Sequence, residues 1–147
     1  MSIPAQGETL TYGRTFTIAD VRAFADVSND RGVHHVQLDG EGRLLVHGLL
    51  TATIPTKLGG DLDYLAQEMA FRFHRPVFTG DHVECACRAT VVEDRGDRTY
   101  LEFEIRCTNQ RGREVMTGWT KGIVLARPGG QASGRRDPES GQSSLPR

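Results

Sequence analysis

The sequence predicts an α+β domain in which one buried helix packs against a long antiparallel sheet. Three observations carry that prediction. Residues 49–58 form an apolar run with no clearly polar face, which suits a helix enclosed on all sides. Later segments alternate with period two, as in Ala70-Phe71-Arg72-Phe73-His74 and in Leu101, Phe103 and Ile105 set against Glu102 and Glu104. Gly-, Asp- and Asn-containing breaks separate those segments at short intervals.

Taken in order, the chain opens with an extended segment, Leu10 to Phe16. Thr17-Ile18-Ala19-Asp20 then offers an N-cap threonine with an acid three residues on, the pattern of a capping box. Val21, Phe24, Ala25 and Ser28 recur at helical spacing, so a short amphipathic helix is expected over 18–28. Its end delivers Asn29-Asp30 into an irregular loop with Arg31-Gly32. The buried helix is expected from Leu49 to Leu58, stopping at Gly59-Gly60, with Lys57 in the last turn where the dipole favours a cation. Pro55 lacks the N–H that would bond the carbonyl of Thr51, which predicts a kink or an early end. Strands are expected at about 65–76, 81–93, 98–109 and 113–126, and short connections between consecutive strands predict a meander. From residue 127 the composition turns to Gly, Ser, Pro and Arg. The expected organisation is one domain over 1–126 and a disordered tail over 127–147.

The composition bounds the function. A formal net charge of -1 supplies no global basic field, so neither nucleic acid nor an anionic membrane is an expected partner. No apolar run approaches the ~18 residues of a membrane helix. Residues 1–10 have neither a basic stretch nor an apolar one of the secretory type, so cytoplasmic residence is expected. Cys85, Cys87 and Cys107 are odd in number and read as buried apolar thiols, with no disulfide framework and no metal site expected.

The chemistry concentrates between residues 28 and 48. Ser28-Asn29-Asp30 and His35 place an acid and an imidazole five residues apart. Val46-His47-Gly48 then leads into the apolar run. Glycine at a helix start can present a bare backbone N–H, reinforced by the helix dipole. One oxyanion donor of this kind lowers a barrier by about 3–4 kcal/mol. Acid, base and oxyanion site together suit chemistry next to a carbonyl, such as adding water to an enoyl thioester. His34 stands beside His35, and spacing alone does not say which ring points inward. His47 reads as a structural residue that bonds backbone at the helix start.

These residues resemble the MaoC-like hydratases, a family that includes (R)-specific enoyl-CoA hydratases with a hot-dog fold. The family pattern reads roughly (S/T)-x-D-x-N-P-x-H, then HG at the head of the central helix, then F-x-x-P-V-F-x-G-D. Here Ser28-Asn29-Asp30 with His35 stands at the first motif, Val46-His47-Gly48 at the second and Phe73 to Asp81 at the third. The resemblance runs over residues 10–126. It implies a sheet of about five strands wrapped round one long helix, and a homodimer in which two sheets join. It implies that Asp30 and His35 form a catalytic dyad sharing one water, and that the Gly48 N–H holds the thioester oxygen. Thr56 falls where the family often has a small hydroxyl residue lining the site, and His47 accompanies Gly48 at the substrate-binding end. The implied reaction is hydration of a trans-2-enoyl-CoA or the reverse dehydration of a 3-hydroxyacyl-CoA. Coenzyme A is then part of the substrate, and no separate cofactor is expected. The chain departs from the pattern at Gly32-Val33, where the family has Asn-Pro, and at Gln37, where an acid is common. The link from His35 to His47 is also shorter. Two other readings stay open: an acyl-CoA thioesterase on the same scaffold, and a non-catalytic acyl-binding or partner subunit.

Overall fold

Thr17 decides where the first helix begins. Its side chain accepts from the Asp20 N–H at 3.1 Å, while the Asp20 carboxylate accepts from the Thr17 N–H at 2.8 Å. This closes the predicted capping box and opens helix α1 (Ile18–Ser28) after strand β1 (Thr9–Thr15). The Thr17 N–H, aided by Arg14, holds the Asp20 carboxyl below the usual carboxylate range. Asn29 ends α1 in the left-handed region at φ 59°. The computed structural model describes residues 2–128, so the tail expected over 127–147 lies outside the described residues apart from Arg127 and Pro128.

The segment after α1 contains a single helical turn, α2 (Val33–Val36), where an irregular loop was expected. Gln37 closes it by donating to the carbonyl of Val33 at 2.9 Å. That turn buries His35 and leaves His34 outside. The central helix starts at Gly48, as predicted, but has two parts: α3 (Gly48–Thr51) and α4 (Thr53–Asp61). The break sits at Ala52, three residues before Pro55, so the proline occupies the first turn of α4, where a missing N–H removes no helical bond. The helix also continues through Gly59-Gly60 to Asp61 rather than stopping before them. Leu50, Ala52, Ile54 and Leu58 are buried in the core.

Four further strands follow: β2 (Leu65–Phe73), β3 (His82–Asp94), β4 (Arg98–Asn109) and β5 (Glu114–Leu125). All pairings are antiparallel, and the strand order is β1-β3-β4-β5-β2. The expected meander therefore holds only for β3-β4-β5. Strand β2 crosses to the far side of β5, and the Pro76–Asp81 segment is not a hairpin. It runs beside residues 44–46 instead: Val46 donates to the Val77 carbonyl at 2.8 Å and Thr79 to the Leu44 carbonyl at 2.9 Å. Gly118 and Gly122 of β5 let the β2 backbone come close, since a Cβ on either would strike a β2 carbonyl.

Alternation in β3 and β4 puts Val83, Cys85, Cys87 and Ala89 in the core with Leu101, Phe103, Ile105 and Cys107. The three thiols are buried, as expected. Hydrogen bonding with Cys107 and Cys87, followed by burial, pushes the Cys85 thiol far up, so it stays neutral. Trp119 lies outside the core. It lies on the outer face of β5, 42% exposed, with the Lys121 ammonium 5.3 Å from its ring centre.

Candidate active site

Three chain segments converge at the start of the bent helix. The first is the loop after α1. Ser28 Oγ donates to the Phe24 carbonyl at 2.6 Å and accepts from the Asp30 N–H at 3.0 Å, so the serine carries the turn out of the helix. Asp30 Oδ1 accepts from the Gly32 N–H at 3.2 Å, an Asx turn that leaves Oδ2 to face elsewhere. The carboxylate is half-exposed.

The second segment is α2, which turns His35 into the protein. His35 Nδ1 lies 2.7 Å from the Leu45 carbonyl. A carbonyl only accepts, so Nδ1 carries the hydrogen and Nε2 carries the lone pair. That Nε2 stands 3.8 Å from Asp30 Oδ2. The separation is too long for a direct hydrogen bond and suits a small molecule with hydrogens to donate to both atoms. The Asp30 carboxylate and the His35 imidazole thus come together, and His35 rather than His34 is the inward ring. His34 packs edge-on against it, with ring centres 4.1 Å apart.

The third segment is the start of α3. Its first N–H groups, beginning with Gly48, have no acceptor within the helix. Gly48 lines the same cavity of about 410 Å³ as His34, His35 and Phe73. A Cβ at Gly48 would lie 2.9 Å from Phe73 Cζ, so any side chain there would push aside the ring that leans over the helix start. His47, just before it, is buried and does bond backbone, as expected: its Nε2 donates to the Asp30 carbonyl at 3.0 Å. Its ring also stacks on His35 at 3.7 Å and 14°.

Thr56 is not part of this arrangement. Its hydroxyl donates to the Ala52 carbonyl at 2.9 Å, and its side chain lines a separate apolar cavity of about 200 Å³ with Leu10, Leu58, Phe71 and Phe103. Eight residues of helix, at ~1.5 Å each, separate it from Gly48. Sequence reasoning also missed the Leu45 carbonyl that sets the His35 tautomer. Backbone groups leave no trace in residue type, so nothing in the sequence marked it. Phe73 was visible as the first residue of the third motif, although its place over Gly48 was not.

Asp30, His35 and His47 each offer one donor atom, all within 4.8 Å of one another. Two rings stacked nearly parallel cannot aim in-plane lone pairs at a single ion, so this geometry favours proton transfer over metal ligation.

The family described as "FAS1-like, dehydratase domain region" matches residues 42–118, more than half of the chain. The chain belongs to this FAS1-like dehydratase-domain family. The matched stretch holds Gly48, the bent helix and most of the sheet, while Asp30 and His35 lie before it. A curated relative, the mitochondrial 3-hydroxyacyl-[acyl-carrier-protein] dehydratase of Arabidopsis thaliana, is 26% identical over 119 residues, which is 75% of this chain and 70% of that one. Among solved structures, the (R)-hydratase of A. caviae involved in PHA biosynthesis superposes with a TM-score of 0.72 at 26% identity, covering 84% of this chain and 98% of that one. The R-hydratase PhaJ1 of Pseudomonas aeruginosa superposes with a TM-score of 0.71 at 21% identity, over 89% and 94% of the two chains. The dehydratase domain described here has the hot-dog fold of these MaoC-like proteins and is an enzyme of the hydratase and dehydratase class.

Proposed function

We propose that this dehydratase-family domain is a hydro-lyase for acyl thioesters, adding water to a trans-2-enoyl-CoA to give an (R)-3-hydroxyacyl-CoA or running the reverse dehydration. One observation carries the reading: His35 Nε2, with its lone pair free, faces Asp30 Oδ2 at 3.8 Å, and His35 lines one cavity with Gly48. In the hydration direction, a water held between the two side chains gives one proton to His35 Nε2 as its oxygen bonds to C3 of the enoyl group. The C2–C3 π electrons shift toward the carbonyl, and the Gly48 N–H stabilises the negative charge arriving on the thioester oxygen. Asp30 holds the remaining hydrogen of the water and stabilises the imidazolium. C2 then takes its proton from that imidazolium, which restores His35 and completes addition of one water with no net proton change.

The thioester's carrier is the finer point. The Arabidopsis relative is named for acyl carrier protein and the A. caviae relative for a hydratase, so both carriers belong in the assay. Arg75 lines the cavity, and one of its nitrogens already donates to the Glu114 carbonyl at 2.6 Å. Its remaining donors suit a phosphate, which both carriers possess. The apolar cavity round Thr56 suits a hydrocarbon tail.

The homodimer belongs to the same proposal. Among the described residues, strand β2 ends the sheet with an unpaired edge and exposes Leu65, Met69 and Phe73, a surface that a second copy would cover. Light scattering that gives a single-chain mass would remove it. No helix among the described residues is long and apolar enough to cross a membrane. Cytoplasmic residence remains our proposal, although the Arabidopsis relative is named mitochondrial. Cell fractionation tests it.

The reaction is tested by following the enoyl-thioester absorbance of crotonyl-CoA beside a free-thiol assay. Loss of absorbance without thiol release is expected. Thiol release would make the protein a thioesterase, and no change with either carrier over several chain lengths would make it a binding subunit.

A further inference from the structure

We propose that His47 is the positioning residue of this site, tying Asp30, His35 and Gly48 into one rigid unit. The proposal rests on the hydro-lyase reading for its role and on geometry for its evidence. A histidine kept only for packing would have both ring nitrogens paired or would be replaceable by an apolar side chain. His47 is 2% exposed, its Nε2–H is bonded to the Asp30 carbonyl, and its Nδ1 is buried without a protein partner. Leaving a ring nitrogen buried and unpaired works against folding. The space between Phe24, 4.8 Å away edge-on, and His35 could hold an aliphatic residue without that defect.

What the imidazole supplies is connection. Asp30 is otherwise held only by its own neighbours, through Ser28 Oγ and the Gly32 N–H, and its carboxylate is half-exposed. The His47 Nε2–H is the bond that ties this loop to the start of the central helix, seventeen positions later. The adjacent residue is Gly48, which carries the oxyanion donor. The face of the same ring lies on His35 at 3.7 Å, on the side chain whose other fixed point is the Leu45 carbonyl. One side chain therefore sets the spacing among all three working groups. When His35 takes its proton, the stacked His47 ring lies face-on against the new cation.

The test uses the full chain with His47→Leu, His47→Gln and His47→Asn. Glutamine places an amide N–H close to the position of Nε2, whereas asparagine is too short to reach the Asp30 carbonyl. With crotonyl-CoA, His47→Leu should melt at or above the wild-type temperature yet lose ~10- to ~100-fold in kcat with little change in KM. His47→Gln should recover most of that loss, and His47→Asn should not. Wild-type kcat in folded His47→Leu overturns the proposal, as does glutamine performing no better than asparagine. If the leucine variant does not fold, the glutamine and asparagine pair makes the same decision. Imidazole nitrogen NMR of the wild type gives a readout free of turnover: His47 must be protonated at Nε2, and a proton found on Nδ1 overturns the proposal. Absence of any hydration by the wild type would instead strike the hydro-lyase reading, leaving the NMR result to judge the tie itself.

Discussion

The two ends of the bent central helix are built on opposite principles. At its start, Gly48 lies beside Asp30, His35 and His47, and each of those side chains is fixed by a backbone partner: Leu45 carbonyl for one ring, Asp30 carbonyl for the other, Gly32 N–H for the carboxylate. Eight residues on, Thr56 turns its hydroxyl back to the helix carbonyl at Ala52 and lines an apolar cavity with Leu58, Phe71 and Phe103. Proton transfer needs atoms held by directional bonds, because a misplaced proton acceptor loses its function over a fraction of an ångström. An apolar tail needs only volume and dryness, which packing supplies without direction. Changes at the first end should act on rate, and changes at the second on which substrate is accepted.

The largest break in this comparison is expected at the dyad. Asp30→Asn and His35→Gln should each lower kcat by at least ~10²-fold with folding intact, measured by enoyl-CoA absorbance and circular dichroism. Wild-type turnover in either protein would remove it from the site. Gly48→Ala should come next. The new Cβ meets the tip of Phe73, a half-exposed ring that can swing aside, so stability should change little while the ring shifts over the Gly48 N–H, the proposed oxyanion donor. A loss of about tenfold in kcat is expected, smaller than the ~10²- to 10³-fold for removing a donor outright. Combining Gly48→Ala with Phe73→Ala should restore part of it. An unrestored double variant would show that the ring is not the cause.

At the other end, Thr56→Leu should leave crotonyl-CoA turnover nearly unchanged and reduce activity on longer chains by roughly 10-fold or more, as filling a hydrophobic pocket does. Equal losses on all chain lengths would mean that the two cavities are not separate in use. The smallest expected effect lies away from both. Thr17→Ala should cost about 1 kcal/mol at neutral pH by removing the cap of α1. Asp20 is held below the ordinary value of 3.8, so its contribution is complete above that pH and is lost as pH falls through the lowered value. The stability difference between wild type and Asp20→Asn should therefore narrow below pH 3.8 in acid unfolding curves. A difference that stays constant there would separate Asp20 from the cap.

Much of the fold was legible because its signals are local. The capping box at Thr17 and Asp20 located α1, and alternation through Leu101, Phe103 and Ile105 located β4 and its buried face. The failures share a physical cause. A short connection after β2 reads as a hairpin from sequence, but the Pro76–Asp81 segment bonds to residues 44–46 and β2 crosses to β5. Pro55 announced a break, yet whether it falls at the proline or a turn earlier depends on where the helix restarts. At the site, residue types and order pointed to Asp30, His35 and Gly48. Thr56 entered the same group through resemblance, and the length of the intervening helix moves it to another cavity.

By itself the sequence determined α1, the strands, the buried faces and the three residues whose types can perform carbonyl-adjacent acid–base chemistry, since each follows from side-chain character and near-neighbour spacing. Only the tertiary structure decided that His35 rather than His34 turns inward, that the Leu45 carbonyl takes Nδ1 and leaves Nε2 facing Asp30, and that His47 bonds the Asp30 backbone while stacking on His35. Those contacts join chain segments ten or more positions apart and run largely through backbone carbonyls. A carbonyl is present at every residue, and only the folded path of the chain selects the one that is used.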